Sequence, residues 1–299
     1  MPLVLVARAV ALLPWSSLRR AGALIGALAG SVLRIRRAHV EAALRRAGFG
    51  DVTTVARGMY VSLGTALLEF LWMVGKRNIP SSVVGLTARA QDVLARLDVA
   101  DGSGKGIVVA TAHTGNWDLV ACVAAARHMP LSVVTKHLRV KWLDRFWQRE
   151  RASRGLELLE GEGAFGGAAR ALSRGRSVAL LIDQAPERST AVGCASFMGQ
   201  RAYCDLMPAM LAARARVPLV LALGSRNRDG THTVDIPLVL EPPSRASRGW
   251  VEATTTSLND ALEVFVRAHP SQWLWLHRRW KGPPPRRAAR QLAASFVVC

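Results

Sequence analysis

The stretch Ile107-Val108-Val109-Ala110-Thr111-Ala112-His113-Thr114-Gly115-Asn116-Trp117-Asp118 decides the fold of this chain. Ile107 to Thr111 is a short apolar run rich in β-branched residues, the pattern of a strand buried on both faces. Leu119 to Arg127 reads as helix, so the chain passes from strand to helix through one short turn. Gly115 supplies the backbone freedom such a turn needs. Asp118 falls in the first helical turn, where the helix dipole favours a carboxylate. In helix-covered parallel sheets, loops beyond the carboxyl ends of strands face the binding crevice. His113 stands in that place, with Asp118 one turn on to orient its ring. The alternative is a hydrogen-bonded turn histidine beside an ordinary helix start.

Outward from this unit the alternation continues. Strands are expected at 131–135, 156–159, 177–182, 219–223 and 231–240, and helices at 140–153, 164–173, 206–214 and 251–268. Strands separated by helices predict an α/β fold, a mixed and largely parallel central sheet flanked by helices. Upstream, Val55, Met59, Leu63, Ala66, Leu67 and Phe70 recur at helical spacing within a segment 38–78 that Asn78-Ile79-Pro80 ends. Leu86 to Leu97 reads as a further helix, and Asp101 to Gly104 as a turn.

The two ends differ from this middle. Leu3 to Leu13 is apolar but broken by Arg8 and closed by Pro14, and Ala21 to Leu33 is uncharged and ends at Arg34, Arg36 and Arg37. The second run covers roughly 20 Å as a helix, against about 30 Å of hydrocarbon. Residues 1–37 are therefore expected as interfacial, membrane-associating helices, peripheral or monotopic, with a single span or an ordinary core helix pair as the other readings. The arginines after Leu33 stand where the positive-inside rule would place the cytoplasmic side. Residues 38–285 form the α/β domain, and 286–299 a basic flexible tail.

Half of the 299 residues are apolar and the formal net charge is +19. Such a chain buries a core and is no disordered polycation. The charge implies an anionic partner: phospholipid headgroups, an acidic carrier protein or nucleic acid. No recognised nucleic-acid-binding pattern occurs, so nucleic acid is not expected. Cys122, Cys194, Cys204 and Cys299 lack CxxC or metal spacing, and the first three read as free buried thiols. His39, His128, His137, His232 and His269 also lack metal-ligand spacing. No bound metal or cofactor is expected.

His113-Thr114-Gly115-Asn116-Trp117-Asp118 resembles the H-x4-D/E signature of the glycerolipid acyltransferases, in the form carried by the lipid A biosynthesis acyltransferases. Three later segments resemble that family's motifs in the same order: Asp183-Gln184 after a hydrophobic strand, Phe197-Met198-Gly199, and Trp273 to Lys281 with Gln272 ahead. Aspartate at 118 is similar to the phosphatidylinositol mannoside acyltransferases of the same superfamily. The resemblance implies O-acyl transfer from an acyl carrier protein or coenzyme A thioester to a hydroxyl of a membrane glycolipid, a lipid A precursor first and a phosphatidylinositol mannoside second. His113 would act as general base with Asp118 its partner. Asn116, Arg151, Arg154, Asp183, Gln184, Gly199 and Arg278 would bind substrate. A bidentate arginine fork suits a phosphate or diphosphate, against the plainer reading of a solvated basic helix face. The tryptophans of 273–280 read as packing, and His277 as non-catalytic. No GxSxG elbow occurs, so transfer is expected to be direct.

Overall fold

The computed structural model describes residues 2–98, 106–160, 163–187 and 191–282. The turn expected at 101–104 and the tail from Pro283, Cys299 included, lie outside the described residues.

Seven strands form one sheet in the order β1-β9-β8-β2-β5-β3-β4. They are β1 (Val84–Leu86), β2 (Val108–Thr111), β3 (Leu131–Val134), β4 (Glu157–Leu159), β5 (Ser177–Leu181), β8 (Leu219–Arg226) and β9 (His232–Leu240). From β8 to β4 all neighbours are parallel, and β9 runs antiparallel to β8. The sheet is mixed and largely parallel, as the alternation predicts. Helices α5 (Ala88–Arg96), α6 (Trp117–Ala126), α7 (Lys141–Ala152), α8 (Ala164–Ser173), α9 (Met207–Ala215) and α10 (Arg248–Ala268) lie in sequence among and after these strands. Burial on both sheet faces explains why β2 and β5 read as nearly continuous apolar runs.

Two features were not legible from spacing. Strand β1 ends on Leu86, the first residue of the expected helix, which begins instead at Ala88; three residues are too few to show a period. Between β5 and α9 a hairpin of β6 (Val192–Phe197) and β7 (Gln200–Asp205) stands apart as a two-stranded sheet.

The N-terminal part is helical: α1 (Pro2–Ala11), α2 (Trp15–Ala27), a π-helical turn at Leu28–Val32, α3 (Arg37–Arg46) and α4 (Val52–Gly75). Helix α4 is long and apolar enough to cross a bilayer, yet 67% of its apolar window is buried inside the fold. Helices α1 and α2 pack along it. The contact is made by small residues: a Cβ on Gly64 would overlap the carbonyl of Gly22, and one on Gly75 would overlap Ala7. Helices α1 and α2 are thus fastened to α4 by close backbone approach. Their outward side remains apolar, with Leu5, Leu12, Leu24, Leu28, Val32 and Leu33 exposed.

Candidate active site

Strands β2 and β5 are parallel neighbours in a register that pairs Val108 with Val178 and Thr111 with Leu181. Ile182 N–H donates to Thr111 O and prolongs the ladder by one step. The same offset brings residue 183 beside residue 113. Asp183 Oδ1 lies 2.8 Å from His113 Nδ1, and Oδ2 accepts the His113 backbone N–H at 2.9 Å. Trp273 Nε1 donates to the same Oδ2 at 2.9 Å. The C-terminal segment reaches the site by running along the His113 loop: Gly115 N–H donates to Gln272 O, and Leu274 N–H donates to His113 O. Gly115 has φ of +55°, and a Cβ there would stand 3.0 Å from Gly224 O, so both conformation and space call for glycine.

Asp183 is fully buried. Burial alone raises its carboxyl, but the charge and hydrogen bonds of His113, with His277 nearby, hold it well below the ordinary carboxylate range. An ionised carboxylate only accepts, so Nδ1 of His113 carries a proton and Nε2 is the nitrogen that can act as a base. Gln184 Nε2 stands 3.5 Å from His113 Nε2 and 3.3 Å from His277 Nε2. The two imidazoles face each other with centroids 4.3 Å apart, and Trp117 meets the His113 ring edge-on at 4.7 Å. Burial, reinforced by the neighbouring His113, brings His277 down to about 3. A neutral His277 does not repel the charge that His113 gains on taking a proton.

The expected pairing of His113 with Asp118 is corrected. Asp118 is buried and turned toward α7, where Oδ1 lies 3.0 Å from Arg151 Nε and Oδ2 accepts from Trp147 Nε1 at 3.1 Å. The Arg151 contact is an ion pair without hydrogen-bond alignment. Burial pushes the Asp118 carboxyl up against the opposing charges of Arg151 and His113. The reason is geometric. A side chain in the first turn of α6 points off the helix flank, whereas the acid at the end of the adjacent strand points along the loop.

Other expected substrate contacts also carry structural duties. Arg151 is buried and donates to Thr135 Oγ1 at 2.9 Å as well as pairing with Asp118, so it has no open fork for a phosphate. Arg154 donates to the carbonyls of Met73 at 2.6 Å and Lys76 at 2.7 Å, closing the C-terminus of α4. Asn116 caps α6 through Leu119 N–H and donates to Ala66 O and Glu69 Oε2. Gly199 sits at the turn of the β6–β7 hairpin with φ of +69°, and nothing lies near its Cβ direction. Phe197 and Met198 before it are buried, with Phe197 packed 5.6 Å from Trp273. Arg278 is exposed. The buried guanidinium is that of Arg279, which donates to Tyr203 O at 2.8 Å and to Asn259 Oδ1. Of the expected set, His113, Asp183 and Gln184 meet at one point.

Sequence reasoning missed several participants. His277 and Trp273 enter from a segment about ninety residues beyond Asp183, and only the Trp273–Lys281 motif signalled them. Glu69 is a buried acid in an apolar helix, held by Arg226 at 2.8 and 2.9 Å, His232 at 3.1 Å and Asn116 at 3.0 Å. Those partners outweigh its desolvation and bring it to about 2. A lone glutamate amid α4's apolar positions was the available signal. Cys122 is buried and its thiol is pushed up to about 12, chiefly by desolvation and by the charge of Asp118. It is no nucleophile at neutral pH. Cys204 is buried as expected, but Cys194 is exposed on the hairpin.

Two apolar cavities adjoin the site. One, of about 130 Å³, lies between the sheet and α6 and includes Val109, Ala112, Val120, Ala121 and Ala222. The other, of about 290 Å³, lies among α2, α4 and α7. Trp117 lines both.

The chain is similar to known acyltransferases. The chain is 26% identical over 182 residues to the phosphatidylinositol mannoside acyltransferase of Mycolicibacterium smegmatis, covering 60% of this chain and 58% of that protein. It is 27% identical over 191 residues to the protein of the same description from Mycobacterium tuberculosis, covering 62% and 58%. The chain thus spans under two thirds of the length of these curated relatives. A loose likeness, with TM-score 0.37 and 10% identity, links 84% of this chain to 97% of the crystal structure of the 1-acyl-sn-glycerophosphate (LPA) acyltransferase, PlsC, from Thermotoga maritima. The sequence profile of the bacterial lipid A biosynthesis acyltransferases matches residues 3–282, and the chain belongs to that family.

Proposed function

We propose that this protein transfers a fatty acyl chain from a thioester to a hydroxyl of a membrane glycolipid. The observation that carries the reading is His113: Nδ1 is fixed on the buried carboxylate of Asp183, which leaves Nε2, 3.5 Å from the Gln184 amide, as the basic nitrogen. The acceptor hydroxyl gives its proton to Nε2 as its oxygen attacks the thioester carbonyl carbon. Asp183 stabilises the resulting imidazolium, which then protonates the departing thiolate. The C–S bond breaks, a C–O bond remains, and the products are an ester and a free thiol. General-base assistance of this kind supplies about 10²–10⁴-fold. The cavity between the sheet and α6 takes the acyl chain, since its wall is almost wholly aliphatic.

The donor is an acyl carrier protein or coenzyme A thioester, both anionic and matched to a chain of net charge +19. The acceptor is a lipid A precursor, as the family's name suggests, or a phosphatidylinositol mannoside. The second reading is supported by the descriptions of the curated relatives and by aspartate at position 118. Exposed leucines on α1 and α2, with Arg19, Arg20, Arg34 and Arg36 exposed nearby, support docking on the cytoplasmic face of the inner membrane.

The test incubates purified protein with long-chain acyl-coenzyme A or acyl carrier protein and, in parallel, a lipid A precursor or a phosphatidylinositol mannoside. Mass spectrometry should show an added acyl ester on one acceptor with wild type and none with His113→Ala. Equal product from both proteins would remove His113 from the reaction.

A further inference from the structure

We infer that the second cavity, enclosed by α2, α4 and α7, is a subsite for a hydrocarbon chain of the acceptor lipid. This rests on the acyl-transfer reading above and adds where the acceptor enters. A transfer between two amphipathic substrates has two chains to place while both reacting groups reach one histidine. The two apolar cavities that adjoin the site share a wall. Trp117 lines each of them and meets the His113 ring edge-on at 4.7 Å. One cavity comes to Trp117 from the sheet side, the other from the side of the N-terminal helices.

The second cavity, of about 290 Å³, lies near the lower end of the ~300–1,000 Å³ usual for ligand pockets. Ile25, Ala29, Leu63, Leu67 and Phe70, with Trp147 stacked on Phe70, give it an apolar wall. Asn116 and Asp118 also border it, but their polar atoms are engaged with Ala66, Glu69, Arg151 and Trp147. The lining therefore offers a ligand little hydrogen bonding, which suits an alkyl chain and disfavours a sugar.

Its position selects the occupant. Leu67 lines the cavity and is also 39% exposed. The neighbouring outward residues on α2 and the turn after it, Leu24 and Leu28, are 75% and 52% exposed. The cavity wall is thus continuous with the apolar surface of the N-terminal helices. Arg19, Arg20, Arg34 and Arg36 are exposed on the same segment, matching anionic lipid headgroups. A lipid lying in a bilayer reaches this side first, whereas a water-borne thioester has no reason to enter through it.

The experiment needs no turnover. An n-dodecyl β-D-glucoside with a diazirine in its chain is photolysed with the full chain, while a non-hydrolysable long-chain acyl-coenzyme A ether occupies the sheet-side cavity. Cross-linked peptides are mapped by mass spectrometry. Label is expected within residues 25–29 and 63–70, falling by about tenfold or more in Leu67→Trp and in Ala29→Phe, which fill the space. Circular dichroism melts confirm that the variants fold. Label confined to the outer leucines of α1 and α2, label only on sheet-side residues such as Val120 or Ala222, or label indifferent to both fillings would overturn the subsite. A chain that labels as expected but transfers no acyl group to any glycolipid would instead overturn the function proposed above.

Discussion

Asp183 Oδ1 lies 2.8 Å from Nδ1 of His113 although seventy residues separate them, while Asp118, five residues after the histidine, faces Arg151. Two acids therefore flank one histidine with different work. Asp183 fixes the tautomer, and Asp118 is the counterion of a buried arginine.

Kinetics should separate them. Asp183→Asn places an amide against Nδ1 and destabilises the productive tautomer. A fall in kcat of about 10²–10⁴-fold is expected, with KM for both substrates little changed. Asp118→Asn should lower kcat far less. Steady-state assays of the two variants decide the point, and equal losses would return Asp118 to the role of orienting partner.

The Asp118–Arg151 pair should appear in stability. Asp118→Ala strands the Arg151 guanidinium in the interior, where its neutral partners Thr135 and Gln148 do not balance its charge. Breaking a buried pair from one side costs about 3–5 kcal/mol. Arg151→Met in the same chain should recover much of that loss, because no uncompensated charge then remains. Urea unfolding of the two single variants and the double variant measures the coupling.

Acid should weaken the fold partly through His277. Its folded value of about 3 lies below its ordinary 6.5. Between these values the unfolded chain binds a proton that the folded chain refuses. Stability from this group is complete above 6.5 and declines as pH falls toward 3, by about 1.4 kcal/mol per pH unit at most. His277→Gln should therefore close on wild type by about 1 kcal/mol between about pH 7.5 and pH 5.5. Denaturation midpoints at the two pH values test this, and a constant difference would contradict it.

Chain selection should respond to the sheet-side cavity. Ala222→Phe adds a ring to its wall. Long-chain thioesters should lose about tenfold or more in kcat/KM relative to short-chain ones. Competition assays with mixed acyl-coenzyme A chain lengths read the ratio directly.

The joint between the N-terminal helices and α4 should tolerate little added bulk. Gly64→Val drives a side chain into the Gly22 backbone, and overpacking of this kind costs typically about 1–3 kcal/mol. A lowered melting temperature is expected, together with faster proteolysis within α1 and α2.

Much of the fold was legible because it is locally encoded. Helix α8 (Ala164–Ser173) has the expected bounds, and β5 and β9 fall within a residue of theirs, since burial period and turn residues act over neighbouring positions. Strand β1 is too short to carry a period, and the β6–β7 hairpin alternates only weakly. The site was legible in part. His113 could be named from its place after a strand, and Asp183 and Gln184 from the motif they resemble, though as substrate contacts and not as partners of the histidine. Arg151, Arg154 and Asn116 could not be told from substrate contacts, because an arginine or asparagine shows in sequence only what it can bind.

By itself the sequence determined the strand, turn and helix that carry His113, and the order of the motifs that mark the family. Tertiary structure alone decided which acid serves the histidine. That choice follows from the parallel register of β2 and β5, a pairing between segments seventy residues apart. It also decided that Trp273 and His277 close the site, because hydrogen bonds between the C-terminal segment and the His113 loop place them there. Backbone preferences reach a few residues along the chain, whereas partners in a site are fixed by which surfaces bury together.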